Sequence, residues 1–248
     1  MLTKNQEKLI RSLALRKNRK KSGLFVAEGL KLVTDLISAG LAVQNIFLTE
    51  GSSEAFAVTE QTIELSIQEM KSISFLETPS PVLVLFEQPV RLSEFQSDTG
   101  LILLLDRIQD PGNMGTLLRS ALWYGVEHIG FVKGCVDAFN PKVVQASMGA
   151  LAHLQCVERS AEEWVEWSAS NGRRLLVADM DGTPAAEMNW TSKDILVLGN
   201  EGQGCNVAFK AVGNKVTLPG NTAKMESLNV AISGATLLYA YATASSEL

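Results

Sequence analysis

The order of hydrophobic and polar positions predicts alternating helices and strands in the first third of the chain. Apolar residues at 32–37 recur at the spacing of one helix face, and the apolar stretch at 43–48 is typical of a strand. A second pair follows, because a Ser-x-x-Glu capping-box pattern at 66–69 precedes a helix and an apolar run occupies 82–86. The sequence therefore predicts a small α/β domain over residues 1–90.

Buried strands alternate with helices in the remainder of the chain, after a polar stretch at 91–99 that we interpret as a linker. A helix is predicted around 115–123, and Asn140 and Pro141 supply the cap and the first residue of another. Apolar strands separated by helices imply a parallel sheet that is covered on both faces, so 100–248 is predicted to be a second α/β domain. Its strands are predicted at 101–105, 128–132, 154–157, 175–178, 195–198 and 215–218.

The charge of the chain is polarised. The 248 residues carry a formal net charge of -5, yet residues 1–31 hold nine Lys and Arg against only Glu7 and Glu28. A basic cluster such as the one at 17–21 can neutralise phosphates while the remaining surface stays acidic, which favours a nucleic-acid partner. A solvated and frayed terminus explains the same charges, and charge alone does not separate the two interpretations.

The composition gives no indication of a membrane span, a disulfide framework or a metal site. No apolar run reaches the length of a membrane span, and charged residues interrupt the segment after the basic terminus, so we expect no signal peptide. Cys135, Cys156 and Cys205 lie far apart and form no Cys-x-x-Cys pair, which argues against a disulfide framework and a zinc site. We therefore expect a cytoplasmic protein with reduced thiols, no metal and no membrane partner.

Three polar loops that contain glycine each follow a predicted strand. The first, at 106–115, runs into a helix that carries Arg119. The second, at 198–204, holds a single carboxylate among three glycines, and the third, at 218–231, leads into a strongly apolar helix. Open α/β sheets bind ligands at the carboxyl edge of their strands, so the shared position of the loops indicates a functional site.

Each loop also has a structural interpretation that needs no ligand. The first is then a tight turn with Arg119 in a salt bridge, and the second is a flexible turn into a helix. In the third, Ser227 serves as the N-cap of a helix that begins near Met225. The second loop reads Gly-x-x-Gly-x-Gly, and the chain contains neither G-x-G-x-x-G nor a P-loop, so a dinucleotide site is not supported.

In order and spacing, the segments at 106–119, 198–204 and 218–231 resemble the three signature motifs of the SpoU (TrmH-like) branch of the SPOUT methyltransferases. The segment Phe25–Gly29, with the helix and strand after it, resembles the small substrate-binding domain that often precedes the catalytic one. The resemblance implies a catalytic domain with a parallel sheet and a deep trefoil knot. It also implies S-adenosylmethionine as cofactor and methyl transfer to a ribose 2′-hydroxyl in structured RNA.

The resemblance assigns roles to two groups of residues. Arg119 is the position proposed in this family to activate the hydroxyl, but a guanidinium stays protonated, so we expect it to bind the adjacent phosphate and stabilise alkoxide charge. Asn113 would orient the substrate, Glu201 would anchor its loop or contact a partner residue, and Ser227 and Asn229 would hold loop and substrate together. The polar group is Asn113, Arg119, Glu201, Ser227 and Asn229, and the group expected to line the adenosine site is Leu198, Gly199, Gly202, Leu218 and Leu228.

The resemblance also implies partners. The family's arginine acts with the cofactor site of the other subunit, which implies a homodimer. Leu237, Leu238 and Tyr239 of the closing helix are candidates for its interface, and they serve equally well as core residues. The Phe25–Gly29 pattern resembles family members that act on large-subunit ribosomal RNA, which favours ribosomal RNA over transfer RNA.

Other functions stay open at this point. A transfer RNA 2′-O-methyltransferase differs only in its substrate. A non-catalytic RNA-binding protein would keep the same fold, although the intact polar residues of the three loops weigh against it. An oxidoreductase on an ordinary doubly wound sheet has support only from alternating strands and glycine loops, and the chain lacks the early glycine fingerprint of that class.

Overall fold

The computed structural model describes five stretches of the chain. Arg91 and Asp98 of the predicted linker and Thr222 of the third loop lie outside them. No helix in these stretches is long and apolar enough to cross a membrane. No group of three or more His, Cys, Asp or Glu side chains within them could hold a metal ion. The described stretches are 1–52, 60–90, 92–97, 99–221 and 223–244.

Helices and strands follow one another in the described residues much as the apolar pattern predicts, and all six strands expected from residue 101 onward are present. The helices are α1 (Lys4–Ser12), α2 (Arg16–Ser22), α3 (Leu30–Ser38), α4 (Ile67–Ile73), α5 (Pro111–Trp123), α6 (Pro141–Ser147), α7 (Ala161–Ser170), α8 (Val207–Val212) and α9 (Val230–Ala244). The strands are β1 (Leu24–Glu28), β2 (Val43–Thr49), β3 (Thr62–Leu65), β4 (Val82–Glu87), β5 (Ile102–Leu105), β6 (His128–Val132), β7 (Gln155–Arg159), β8 (Arg174–Pro184), β9 (Asp194–Leu198) and β10 (Asn214–Thr217).

The chain forms two compact units, and the first is discontinuous in sequence. It comprises Met1–Val90 and Asp137–Ala152. Its four-stranded sheet has the order β1-β4-β2-β3, in which β4 is antiparallel to both neighbours and β3 is parallel to β2. Helix α6 packs against β1, so a segment that follows β6 in the sequence completes this unit. The capping box predicted at 66–69 begins α4 and is confirmed.

The basic N-terminus is helical, so the interpretation as a frayed terminus is wrong. A capping box begins α1, and α2 contains the basic cluster at 17–21. Arg19 of this cluster is buried, and its Nη2 lies 2.7 Å from Asp137 Oδ2 while its Nε donates to the same oxygen at 2.8 Å. Arg19 therefore stabilises the fold of the first unit and is not available to a phosphate.

The second unit comprises Arg91–Val136 and His153–Leu248 and contains a six-stranded sheet in the order β10-β8-β9-β5-β6-β7. Every pairing in it is parallel. The central strands β5 and β9 are buried along their whole length, because helices cover both faces of a parallel sheet. The predicted parallel α/β sheet is confirmed.

The closing helix α9 begins later than the sequence predicts. It starts at Val230, not near Met225, and its N-cap is Asn229. Asn229 Oδ1 accepts hydrogen bonds from the backbone N–H groups of Ala231 (2.9 Å) and Ile232 (3.3 Å), which satisfies two donors of the first turn. Ser227 as N-cap is therefore wrong.

Helix α9 approaches α5 and β9 closely at a glycine. A Cβ atom added to Gly234 would lie 2.3 Å from Leu117 Cδ2 and 2.6 Å from Leu198 Cδ1. Both distances are shorter than van der Waals contact, so only glycine fits without movement of its neighbours. This position fixes how α9 lies beside the strand that leads to the second loop.

The apolar residues of α9 divide between core and surface. Leu237 and Leu238 are buried in the core, so their assignment to a subunit interface is wrong. Tyr239 is 54% exposed, and its ring packs edge-on against Tyr124 at the end of α5.

Candidate active site

A buried aspartate fixes the start of the first loop. Asp106 directly follows β5 and is fully buried. Its two oxygens accept hydrogen bonds from Arg107 Nε (2.8 Å) and Nη2 (3.0 Å), and Oδ2 also accepts from the backbone N–H of Asn206 (2.6 Å). The paired carboxylate raises the pKa of the Arg107 guanidinium further above its ordinary value. Arg107 adopts a left-handed backbone conformation (φ 56°), which this contact holds in place.

Arg107 joins the first loop to the second. Its Nη1 donates to Gln203 Oε1 at 3.0 Å, and its Nη2 donates to the carbonyl of Gly204 at 3.1 Å. In return, Asn200 Nδ2 donates to the Arg107 carbonyl at 3.1 Å. Sequence reasoning missed Asp106, Arg107 and Asn200. A charged residue directly after a fully apolar strand is the signal that could have revealed the first of them.

The second loop is a tight turn that its own residues hold together. Asn200 Oδ1 accepts from the backbone N–H groups of Gly202 (3.0 Å) and Gln203 (3.2 Å). A Cβ on Gly199 would lie 2.3 Å from the backbone nitrogen of Cys205, because the two ends of the loop run side by side. The loop is therefore a tight turn held by its own hydrogen bonds, and the helix expected after it begins at Val207.

Three of the five predicted polar residues meet where the loops converge. Asn113 lies in the first turn of α5, Glu201 in the second loop and Asn229 at the start of α9. Asn113 Nδ2 donates to Glu201 Oε1 at 2.5 Å. Asn229 Nδ2 donates to both Asn113 Oδ1 and Glu201 Oε1, at 3.0 Å in each case. A single carboxylate oxygen thus joins three loops that are far apart in the sequence.

Arg119 and Ser227 lie outside this hydrogen-bonded cluster. Both are exposed, Arg119 on α5 and Ser227 two residues before the N-cap of α9. Neither side chain has a hydrogen bond or ion pair to any other described residue. The salt bridge that the structural interpretation expects at Arg119 is therefore absent from the described part of the chain, and its guanidinium is open to a ligand.

The five residues expected around the adenosine differ in exposure. The Leu198 side chain is 1% exposed, and its carbonyl accepts from Asp106 N at 2.8 Å, so Leu198 supports the loops from the core. Gly199 and Gly202 form part of the tight second loop. Leu218 is half-buried, and Leu228 is 54% exposed. The second and third loops thus offer glycine backbone and accessible apolar side chains, which suit an adenosine.

The titratable groups near the loops offer no thiol or imidazole catalyst. Burial raises the pKa of Cys135 to about 11 and that of Cys205 to about 12, so both stay protonated at neutral pH. His128 begins β6 at the sheet edge opposite the loops, and burial lowers its pKa. The cluster where the loops converge therefore offers two amides and one carboxylate, and Arg119 adds a cation on α5, which suits orientation and charge stabilisation.

Family models match both parts of the chain. Residues 100–239 match the model described as SpoU rRNA Methylase family. Residues 4–84 match the model described as MRM3-like substrate binding domain. The first match contains all three loops, and the second contains the four strands of the first unit except the end of β4.

Named relatives align with much of the chain. A Bacillus subtilis protein named 23S rRNA (guanosine(2553)-2′-O)-methyltransferase RlmP is 28% identical over 240 residues, which are 95% of this chain and 96% of the relative. The human mitochondrial protein named rRNA methyltransferase 3 is 32% identical over 196 residues, which are 71% of this chain. The aligned part is only 45% of the human protein, so the chain spans about half the length of that relative.

Solved structures superpose along nearly the whole chain. An RNA methyltransferase of the TrmH family from Porphyromonas gingivalis is 36% identical with a TM-score of 0.86, and the match covers 97% of this chain and 98% of the other. An rRNA methyltransferase from Sinorhizobium meliloti, solved with bound AdoMet (S-adenosylmethionine), is 27% identical with a TM-score of 0.86. That match covers 97% of this chain and 95% of the other.

Proposed function

Because the chain belongs to the SpoU rRNA methylase family, we propose that it transfers the methyl group of S-adenosylmethionine to a ribose 2′-hydroxyl of ribosomal RNA. The observation that carries this proposal is the convergence of three loops on one carboxylate oxygen, through Asn113, Glu201 and Asn229. Ribosomal RNA is preferred as substrate because the relatives named above are rRNA methyltransferases.

The second and third loops would hold the cofactor. Gly220 has open space where a Cβ would stand, and the nearby Leu218 and Leu228 side chains are accessible, so the residues present fit an adenosine. Gly199 and Gly202 would contact it through their backbone, while Leu198 would support the pocket from the core. When bound, the cofactor supplies an electrophilic methyl group on a positively charged sulfur.

Arg119 would act on the hydroxyl by charge and position. A guanidinium does not lose its proton at ordinary pH, so Arg119 would bind the phosphate beside the target ribose and stabilise the negative charge that develops on the 2′-oxygen as the hydroxyl proton passes to solvent water. Asn113 orients the substrate, and Asn229 and Glu201 keep Asn113 in place by their hydrogen bonds. Ser227 is exposed in the third loop, two residues before Asn229. Its hydroxyl would contribute a further contact to the substrate.

The active form in this proposal is a homodimer. Trp123 at the end of α5 is 79% exposed, and Ile232 and Tyr239 on the adjacent α9 are 55% and 54% exposed. Such large apolar side chains on two packed helices form a surface suited to a second copy of the chain. Arg119 lies one helical turn before Trp123 on the same face of α5, which would bring it to the partner's cofactor site.

A deep trefoil knot is the remaining part of the fold proposal. It is supported by the order of contacts in the second unit. The second and third loops both bind Asn113 of the first loop, and α9 then packs closely against both α5 and β9 at Gly234. In a trefoil knot the C-terminal part of the chain passes through a loop formed by earlier segments. Close contacts of the third loop and α9 with the first loop, α5 and β9 would be expected in such a fold.

The first unit would bind RNA, with residues 1–90 as the substrate-binding domain and 91–99 as linker. The segment Asp137–Ala152 belongs to this unit, and the rest of 100–248 would form the catalytic domain. On α2, Arg16, Lys17, Lys20 and Lys21 are exposed, whereas Arg19 is held by Asp137. The exposed cations form the phosphate-binding surface of this domain. A cytoplasmic location stays a prediction.

The experiment that tests the function is transfer of labelled methyl from S-adenosylmethionine to total cellular RNA, unmodified precursors included. Arg119→Ala should abolish transfer and leave cofactor binding nearly intact, and Arg119→Lys serves as the matched control for charge. Label at nuclease-resistant 2′-O positions of ribosomal RNA is the expected result. Label confined to transfer RNA would change the substrate, and RNA binding without label would favour a non-catalytic binding protein.

A further inference from the structure

A cavity in the first unit lies beside the segment Phe25–Gly29 and takes no part in the proposed methyl transfer. Its volume is about 320 Å³. Strand β1 contributes Val26 and Glu28 to its lining, the segment after α4 contributes Phe75 and Glu77, and α6 contributes Lys142 and Ala146. The cavity therefore depends on the packing of α6 against β1, which only the folded first unit provides.

Glu28 is the polar group that gives this cavity its chemistry. Its side chain is buried, yet the described residues provide it with no Lys or Arg partner. Oε2 accepts from Ser74 Oγ at 2.6 Å and Oε1 accepts from the backbone N–H of Phe75 at 2.7 Å, so the carboxylate is fixed in orientation. Burial raises the pKa of Glu28, although these two bonds oppose the shift. Each oxygen still has a lone pair for a further donor.

We propose that this cavity binds an unpaired guanine base of the RNA substrate, an inference that rests on the proposed function. Guanine carries two adjacent N–H donors, N1–H and the exocyclic amine, which match the two oxygens of the Glu28 carboxylate. Val26, Phe75 and Ala146 supply the apolar surface against which a base packs. Proteins that recognise RNA by sequence commonly take up unpaired bases in this way, by packing and by hydrogen bonds to the base edge.

Size and charge favour a base over other ligands. A volume of about 320 Å³ is at the low end of the range for small-molecule sites, about 300–1,000 Å³, so the cavity holds one base and not a longer segment. Two carboxylates, Glu28 and Glu77, disfavour a phosphate inside it. An acyl chain would offer no donor to the remaining lone pairs of this buried carboxylate, which would then lack the hydrogen bonds that water gives them. Lys142 is exposed beside the cavity, where it can meet the phosphate attached to the base.

The test uses the whole protein with S-adenosylhomocysteine at saturation, so that mononucleotides cannot enter the cofactor site. Binding of GMP, IMP and AMP is followed by nuclear magnetic resonance titration. GMP should perturb residues of the cavity, and IMP, which lacks the exocyclic amine, should bind about tenfold more weakly. Equal affinities for GMP and IMP, or perturbations confined to other surfaces, overturn the proposal.

Two variants separate the cavity from general damage to the fold. Ala146→Leu fills the cavity, and Ala42→Leu adds the same atoms at an exposed position of the same unit. Ala146→Leu should weaken GMP binding at least tenfold and, on RNA, raise KM with kcat unchanged, whereas Ala42→Leu should behave as wild type. Wild-type GMP binding in Ala146→Leu refutes the cavity as the site. GMP binding does not require methyl transfer, so this inference and the proposed function fail independently.

Discussion

Asn229 performs two tasks with one side chain, and substitutions can separate them. Its Oδ1 accepts from the backbone N–H groups of Ala231 and Ile232, which begins α9. Its Nδ2 donates to Asn113 Oδ1 and Glu201 Oε1. Serine at this position keeps an acceptor for the cap but loses the amide donors that reach Asn113 and Glu201. Aspartate also keeps the acceptor but places a second carboxylate beside Glu201, and alanine loses both functions.

The expected losses of folding free energy follow from these contacts. Asn229→Ser loses the donor to Glu201, which costs about 1 kcal/mol for a contact that water reaches. Asn229→Ala also loses the cap, which adds about 1 kcal/mol. Asn229→Asp keeps the cap but adds about 1 kcal/mol of repulsion between the two carboxylates in a water-like medium. For alanine and aspartate, the total of about 2 kcal/mol corresponds to a decrease in Tm of about 4–8 °C.

Urea denaturation of the three variants measures these losses, and a double variant provides the sharpest control. Glu201→Gln in the Asn229→Asp background removes one of the two charges and restores a donor, so it should recover at least half of the stability lost by Asn229→Asp. Losses that simply add in the double variant would refute the coupling between the second loop and α9. Equal losses in Asn229→Ser and Asn229→Ala would refute the capping role.

Two substitutions and one chemical modification test the packing. Gly234→Ala should lower the free energy of unfolding by about 1–3 kcal/mol, because the overpacking outweighs the higher helix propensity of alanine. The control is Gly220→Ala, whose Cβ meets open space and which should keep the wild-type Tm in thermal denaturation. Arg19→Met should cost about 3–5 kcal/mol in urea denaturation, because it removes the buried cation that forms an ion pair and hydrogen bonds with buried Asp137. The exposed Lys20→Met should change stability by less than about 0.5 kcal/mol, and similar losses in the two variants would contradict the buried ion pair. Since burial raises its thiol pKa to about 11, Cys135 should react with iodoacetamide only after unfolding, and rapid labelling of the native protein, located by peptide mass spectrometry, would show that the thiol is accessible.

The strands of the second unit were predictable because burial on both faces requires an unbroken apolar run. β6 and β9 match their predicted bounds closely for this reason. β8 is longer than predicted and continues to Pro184, since Thr183 and Pro184 at its polar end pair with β10 after a shift in register. The polar end of β8 has no alternation of apolar and polar residues, so the sequence pattern does not predict that the strand continues there.

The candidate site was predictable only in part. Its residues came from the resemblance to a family, and the structure brings Asn113, Glu201 and Asn229 together. Asp106 and Arg107 escaped notice because their effect depends on contacts with the second loop, about 100 residues later in the chain. Neither periodicity nor local spacing carries information on such contacts.

The start of α9 shows why local sequence rules did not suffice at this site. Ser227 and Asn229 are both good N-cap residues, so local propensity does not choose between them. Asparagine has amide donors in addition to its acceptor, and only at 229 do they reach Asn113 and Glu201. A cap at Ser227 would begin the helix two residues earlier and turn this amide away from both partners. The register of α9 and the geometry of the three loops are therefore set by the same side chain, and neither changes without the other.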